Sequence, residues 1–288
     1  MKSYSFYVVD AFTASRFGGN PAGVVLIPYE DTMPEKIMQS IASEVNLPMT
    51  SFVQPANDPN TFTLLWFNPT AKATFCGHAT LAAAHILLTA TLTKITLASP
   101  IGELEAQRTS KGITLKFASN PPQELTVPSN SQQSIANEFL GSTLPNPPST
   151  RFFYEPTTND LFVLLGKIDD AEFAQLRFPS VPGNMAELVS QIESVGIRGV
   201  VFVAQSQQAD RDSIARVFNV KDKLIVEDQV TGSAHTVIAP LFCEIFGKSV
   251  IRAHQCSQRE GQLLLELIDN QVYISGNAVL VIQGTISV

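Results

Sequence analysis

Charge is scarce in this chain, and positive charge is scarcer. Of 288 residues only 16% are Asp, Glu, Lys or Arg, and 19 basic residues face 26 acidic ones. The net charge is −7 and no Lys/Arg-rich stripe occurs, which excludes the electrostatic footprint of a nucleic-acid binder. An anionic ligand would have to be held by local dipoles, because the overall field repels it. Cysteine is equally sparse. Cys76, Cys243 and Cys256 are odd in number and form no CxxC pair, which argues against a disulfide framework or a zinc site and leaves reduced thiols as the default. No metal ligand set is expected. Long apolar runs are missing too. The longest helical one, around Leu81 to Leu92, is too short to span a bilayer and contains His85. The opening MKSYSFYVVDAF puts Asp10 where a secretory leader needs apolar residues. These absences point to a soluble, cytoplasmic protein with no membrane role. What remains is plentiful: 44% hydrophobic residues, enough for one large or two ordinary globular domains.

One short pattern occurs twice. Residues 75–84 read FCGHATLAAA and residues 230–239 read VTGSAHTVIA. Each has a Gly, then a small polar or ionisable residue, then an apolar helical run. Gly77 and Gly232 lie 155 positions apart, a little over half the chain. The simplest reading is a duplicated domain with one helix N-terminus per half. Backbone N–H groups at such ends favour a carboxylate-bearing ligand. His78, Asp228 and Ser233 are the side chains expected near it.

Strands are expected at Tyr4–Val9, Ala22–Ile27, Ser51–Gln54 and Thr61–Phe67, with a turn at Gly18–Pro21. Thr32 reads as the N-cap of a helix that runs to about Val45, with Pro34 and Glu35 in its first turn. After the first repeat helix come short strands at Lys94–Ala98, Glu103–Gln107 and Ile113–Ala118. Residues 119–150 are rich in Pro, Ser and Asn and mark the boundary, with a helix expected at Ser134–Leu140. The second half repeats the order. Strands at Arg151–Tyr154 and Leu161–Leu165 lead to helices near Asp170–Gln175 and Met185–Val195, then strands at Gly199–Ala204 and Ser213–Phe218. The chain ends in strands at Gln262–Ile268, Val272–Ser275 and Ala278–Ile282. A helix apolar on all sides must be buried. The expected class is α+β, with two pseudo-repeated domains. Each is a curved, mostly antiparallel or mixed sheet wrapped around a central apolar helix. The first covers residues 1–122, completed by a last strand at about 277–288, and the second covers 123–276.

At its motifs the chain resembles the PhzF-like (phenazine biosynthesis-like) family, which shares the two-domain fold of diaminopimelate epimerase. The resemblance rests on DAFTASRFGGNPAGVVL, FNPTAKATFCGHATLAAAHIL, EDQVTGSAHTVIAPLF, SQREG and VYISGNAVLVIQG. It covers nearly the whole chain and implies a site between the domains, no cofactor, a homodimer and a place in secondary metabolism. In that family a Glu, a His, an Asp and a Ser are assigned to chemistry. The resemblance carries three of them over as His78, Asp228 and Ser233. The fourth is absent: in SEVNLPMTSFV, Asn46 and Leu47 align, but Met49 stands where the Glu belongs, after Pro48. Gln229 likewise stands where the family commonly has Pro. A thioether carries no proton. Glu44, five residues earlier, is a poor substitute because it points in another direction.

The other candidates are substrate-binding: Asn20, Met49, Cys76, Gly77, Thr231, Gly232 and His235. Cys76 occupies the first of the two thiol positions of the related epimerases, but Thr231 occupies the second, which argues against two-thiol racemisation. Ser233 reads as a ligand to a carboxylate rather than a nucleophile, because no Ser-His-acid order is evident. Each has a bland alternative. Asp228 and Ser233 suit helix caps, Cys76 suits a small buried residue, and Gly19 suits a turn. The functional expectation is a cofactor-independent isomerase acting on a small, cyclic, carboxylate-bearing metabolite, with chemistry altered by Met49. Two alternatives stand beside it: a base-free cyclase, dehydratase or rearrangement catalyst for a more hydrophobic substrate, and a non-catalytic metabolite-binding member.

Overall fold

The computed structural model describes residues 2–125, 150–175, 189–221 and 224–288. The helix expected at Ser134–Leu140, most of the boundary stretch and the start of the helix near Met185–Val195 lie outside the described residues. The chain divides into two compact units. One comprises Met1–Phe117, Arg259–Leu264 and Gln271–Val288, the other Ala118–Gln258 and Leu265–Asn270.

In the first unit the strand Ser3–Ala11 is flanked antiparallel by Ala278–Ser287 and by Asn20–Leu26. Asn20–Leu26 then runs parallel to Met49–Pro55, which pairs antiparallel with Thr61–Phe67. The short strand Lys72–Ala73 and the parallel strand Lys94–Ser99 both pair with Thr61–Phe67, and Gly102–Thr109 and Gly112–Ala118 continue antiparallel. Because side chains alternate along a strand, Asn20, Ala22 and Val24 share one face. The register sets Met49 beside Ala22 and Ser51 beside Val24, so these two join that face. The first repeat helix, Gly77–Leu87, packs there. Gly77 through Ala84 are all buried, and the Ser51 hydroxyl donates to the Ala79 carbonyl at 3.0 Å. The opposite face carries Tyr4, Val25 and Phe52, which pack with Met38, Ile41 and Ala42 of the helix Glu35–Val45.

The N-cap expected at Thr32 is corrected. The cap is Pro34, in extended conformation, with no side-chain cap bond. Met33 explains the shift. A residue before proline avoids the helical region, and Met33 is itself buried in the core, so the chain stays extended past Thr32.

The second unit repeats this order of connections. Arg151–Glu155 pairs antiparallel with Asp160–Ile168, which runs parallel to Gly199–Ser206 across a crossover containing the helix Asp170–Ala174. Ser213–Lys221 pairs antiparallel with Gly199–Ser206 along one edge. Its other edge is shared end to end by Leu224–Asp228, antiparallel, and Val250–Gln255, parallel. Between those last two strands comes the second repeat helix, Gly232–Phe246. The first unit has the same succession, with Thr61–Phe67, Lys72–Ala73, Gly77–Leu87 and Lys94–Ser99 in the matching roles. The duplicated α+β architecture expected from the two glycine motifs is therefore present as a repeated strand order.

The second repeat helix contains Pro240, which has no N–H to give the Thr236 carbonyl four residues back. Asn120 replaces that donor: its N–H reaches the Thr236 oxygen at 3.2 Å, and its Nδ2 reaches Thr236 Oγ1 at 2.8 Å. The buried helix thus keeps its proline without an orphaned carbonyl.

Candidate active site

Each repeat helix starts beside ionisable side chains, and each cluster is built by its own unit. In the first, Cys76 is the extended N-cap residue of Gly77–Leu87 and makes no side-chain cap bond. The Thr80 hydroxyl holds the Cys76 carbonyl at 2.6 Å, and Cys76 Sγ lies 3.4 Å from His78 Nδ1. Asn20 Nδ2 reaches the same nitrogen at 3.2 Å. The Asn20 amide and the Cys76 thiol thus both face Nδ1 of His78. Asn20 is fixed by the turn before it. Gly19 adopts φ +60°, and a Cβ there would run into the Ala11 carbonyl oxygen, which is why only glycine fits.

Met49 is half-buried at the head of its strand, on the same sheet face as Asn20. Glu44 is exposed, on the helix that packs against the opposite face, and Asn46 ends that helix in the left-handed region at φ 52°. The two positions belong to different elements, so Glu44 cannot stand in for position 49 by a turn of helix.

In the second unit Thr231 is the N-cap residue of Gly232–Phe246, and again no side-chain cap bond forms. Its hydroxyl donates instead to Asp228 Oδ2 at 2.6 Å. Asp228 closes the strand Leu224–Asp228 beside Val217. Gly232, the first helical residue, is buried, and Ser233 after it is half-buried with a carbonyl that accepts from Thr236 Oγ1 at 2.7 Å. His235 is completely buried, and its Nδ1 donates to the Thr231 carbonyl at 2.8 Å. Burial pushes the His235 imidazole down to about 4, against the opposing pull of that carbonyl and of the Asp228 charge. His235 therefore supports the helix start as a neutral ring at neutral pH.

Asn20, Cys76 and His78 thus come into direct contact, with Met49 on their face, and Asp228, Thr231 and His235 form a second connected group. The sequence reading missed four residues that hold these groups. Gln255 and Ser257 bond the 228–231 loop, while Arg259 bonds the Gly18 and Gly19 carbonyls and is held by Asp10, which also takes the Phe17 N–H. The SQREG stretch pointed to this segment but gave no residue a role. Among the described residues no group of three His, Cys, Asp or Glu is placed to hold a metal, and no helix is long and apolar enough to cross a membrane.

Comparison with known proteins agrees with this architecture. The family model described as phenazine biosynthesis-like protein matches residues 9–284. A mouse phenazine biosynthesis-like domain-containing protein is 37% identical over 98% of both chains. A protein of Halalkalibacterium halodurans, named an uncharacterised isomerase, is 34% identical over 99% of this chain and 98% of its own. The crystal structure of a PhzC/PhzF protein from Clostridium difficile superposes with a TM-score of 0.81 at 32% identity, covering 99% of this chain and all of that one. The chain belongs to the phenazine biosynthesis-like (PhzC/PhzF) family and has its diaminopimelate-epimerase-like fold. Named isomerases among its relatives support an isomerase-type role.

Proposed function

We propose that this protein is a cofactor-independent isomerase that moves a proton on a small, cyclic, carboxylate-bearing metabolite. The observation that carries this reading is the hydrogen bond from Thr231 Oγ1 to Asp228 Oδ2, at the start of a repeat helix. It holds an acidic group in a set orientation at a helix end that favours anions. With a thioether at position 49, Asp228 is the group left to carry the proton. His78, held by Asn20, is the candidate hydrogen-bonding partner of the substrate. Ser233, half-exposed at the helix start, is the candidate ligand for the substrate carboxylate. A homodimer in the cytoplasm is part of the same reading.

The test is turnover of a dihydro-hydroxy-anthranilate-type compound in deuterium oxide. Deuterium entering a ring carbon, and its loss in Asp228→Asn, supports the proposal. Conversion of the compound without deuterium at any carbon, or no conversion at all, counts against it.

A second reading is favoured by one observation: Met49 puts an apolar side chain on the Asn20 face, where the family has a carboxylate. A base-free cyclisation, dehydration or rearrangement of a more hydrophobic substrate would suit that surface. Conversion without deuterium would point to it.

A further inference from the structure

We propose that Gln255 is a positioning residue for the Asp228 carboxylate. This rests on the reading of Asp228 as the proton-carrying group. The geometry begins with the sheet. Asp228 pairs with Val217 and Gln255 with Ala215, so the two strand ends meet on one edge of Ser213–Lys221, two positions apart along it.

The Gln255 side chain, completely buried, spans the gap. Its Oε1 accepts the Thr231 N–H at 2.8 Å. Its Nε2 donates to the Asp228 carbonyl at 2.6 Å and to Thr231 Oγ1 at 3.3 Å. Turning the amide over would set Oε1 against the Asp228 carbonyl oxygen and Nε2 against the Thr231 N–H, so the orientation is forced. The direction of the next bond follows. Thr231 Oγ1 accepts from Gln255 and gives its one hydrogen to Asp228 Oδ2. Ser257 adds a bond from its hydroxyl to the Gln229 carbonyl at 2.7 Å.

A carboxamide satisfies both ends in one charge-free group. Ionised glutamate offers no donor for the Asp228 carbonyl, and leucine offers neither donor nor acceptor. The chain from Gln255 through Thr231 therefore commits Oδ2 of Asp228 and restrains the carboxylate at that oxygen. Thr231, which stands where related epimerases carry a second thiol, is a relay in this arrangement rather than a base.

The experiment compares the wild-type protein with Gln255→Leu, Thr231→Val and the double variant. Two readouts need no substrate: hydrogen exchange at the residue 231 amide, and a crystal structure showing the Asp228 side chain. Gln255→Leu is expected to speed that amide's exchange at least tenfold and to turn the Asp228 carboxylate from its wild-type position. Thr231→Val is expected to turn the carboxylate while leaving the amide protected. An unmoved Asp228 in both single variants overturns the proposal.

Turnover of a dihydro-hydroxy-anthranilate-type compound adds the kinetic readout. Either single change is expected to lower kcat about tenfold or more with KM nearly unchanged, as when orientation alone is lost. The double variant should lose no more than one single change, because both cut one chain. Additive losses, or a rise confined to KM, overturn it as well. A wild-type protein that converts nothing defeats the isomerase reading separately, and the structural readouts still decide the role of Gln255.

Discussion

Arg259 Nη2 donates to Asp10 Oδ1 at 2.7 Å, joining residues 249 positions apart in the chain. The same guanidinium donates to the Gly18 and Gly19 carbonyls at 2.8 Å each, and the Gly19 N–H returns a bond to the Arg259 carbonyl at 3.0 Å. The second Asp10 oxygen takes the Phe17 N–H at 2.6 Å. The turn that delivers Asn20 to His78 is thus gripped from both sides by one ion pair. Arg259→Ala leaves a buried carboxylate without its partner and is expected to cost about 3 kcal/mol in urea unfolding. Arg259→Lys keeps a charge but not the planar fork that reaches both carbonyls, and should fall between. An alanine variant as stable as wild type would contradict this.

Met49 stands beside Ala22 on the face that carries Asn20. Met49→Glu would place a proton carrier there. Positioned acid–base groups contribute factors of about 10² to 10⁴, so deuterium incorporation into a dihydro-hydroxy-anthranilate-type compound should rise at least tenfold. Unchanged incorporation would show that a carboxylate at position 49 does not take part in proton transfer.

His235 makes stability fall as the solution is acidified. The unfolded chain takes up a proton near the ordinary 6.5, whereas the folded chain resists until about 4. The unfolded state therefore binds more protons inside that window. Stability is fully present above 6.5 and is lost progressively down to about 4, by about 3 kcal/mol over the whole window. His235→Gln removes the group. Urea midpoints measured at the two ends of the window should differ less in the variant than in wild type. An unchanged difference would refute the assignment.

Asn120 stands in for the donor that Pro240 lacks. Asn120→Ala keeps the N–H but loses the side-chain bond to Thr236 Oγ1, at a cost of about 1 kcal/mol. Thermal unfolding reads it, and no shift in the midpoint would mean that the side-chain bond adds nothing.

Much of this was legible in one dimension. Gly77 and Gly232 announced two helices because a glycine followed by an uncharged apolar run has few other uses, and both helices begin at those residues. Four of the described strands escaped notice: Lys72–Ala73 and Gln123–Leu125, which are only two and three residues long, and Leu224–Asp228 and Val250–Gln255. In Leu224–Asp228 the alternation is hidden, since Leu224 and Val226 are apolar yet exposed while Ile225 is buried. Val250–Gln255 carries Arg252, His254 and Gln255, which read as polar loop although His254 and Gln255 are buried. The Gln255 contacts depend on registers between strands, and residue order carries no direct trace of them. Thr32 misled for a local reason, because the proline two positions later governs where the helix can begin.

The segment from Gln255 to Arg259 has a consequence for how this sequence can change over time. Surface connections ordinarily absorb insertions and deletions with little harm. Here Gln255 and Ser257 tie down the loop around Asp228, and Arg259 ties down the turn before Asn20, all within five consecutive positions. A single added or lost residue would put one of the two sets out of phase with its partners. This stretch should therefore keep its length even where neighbouring loops vary.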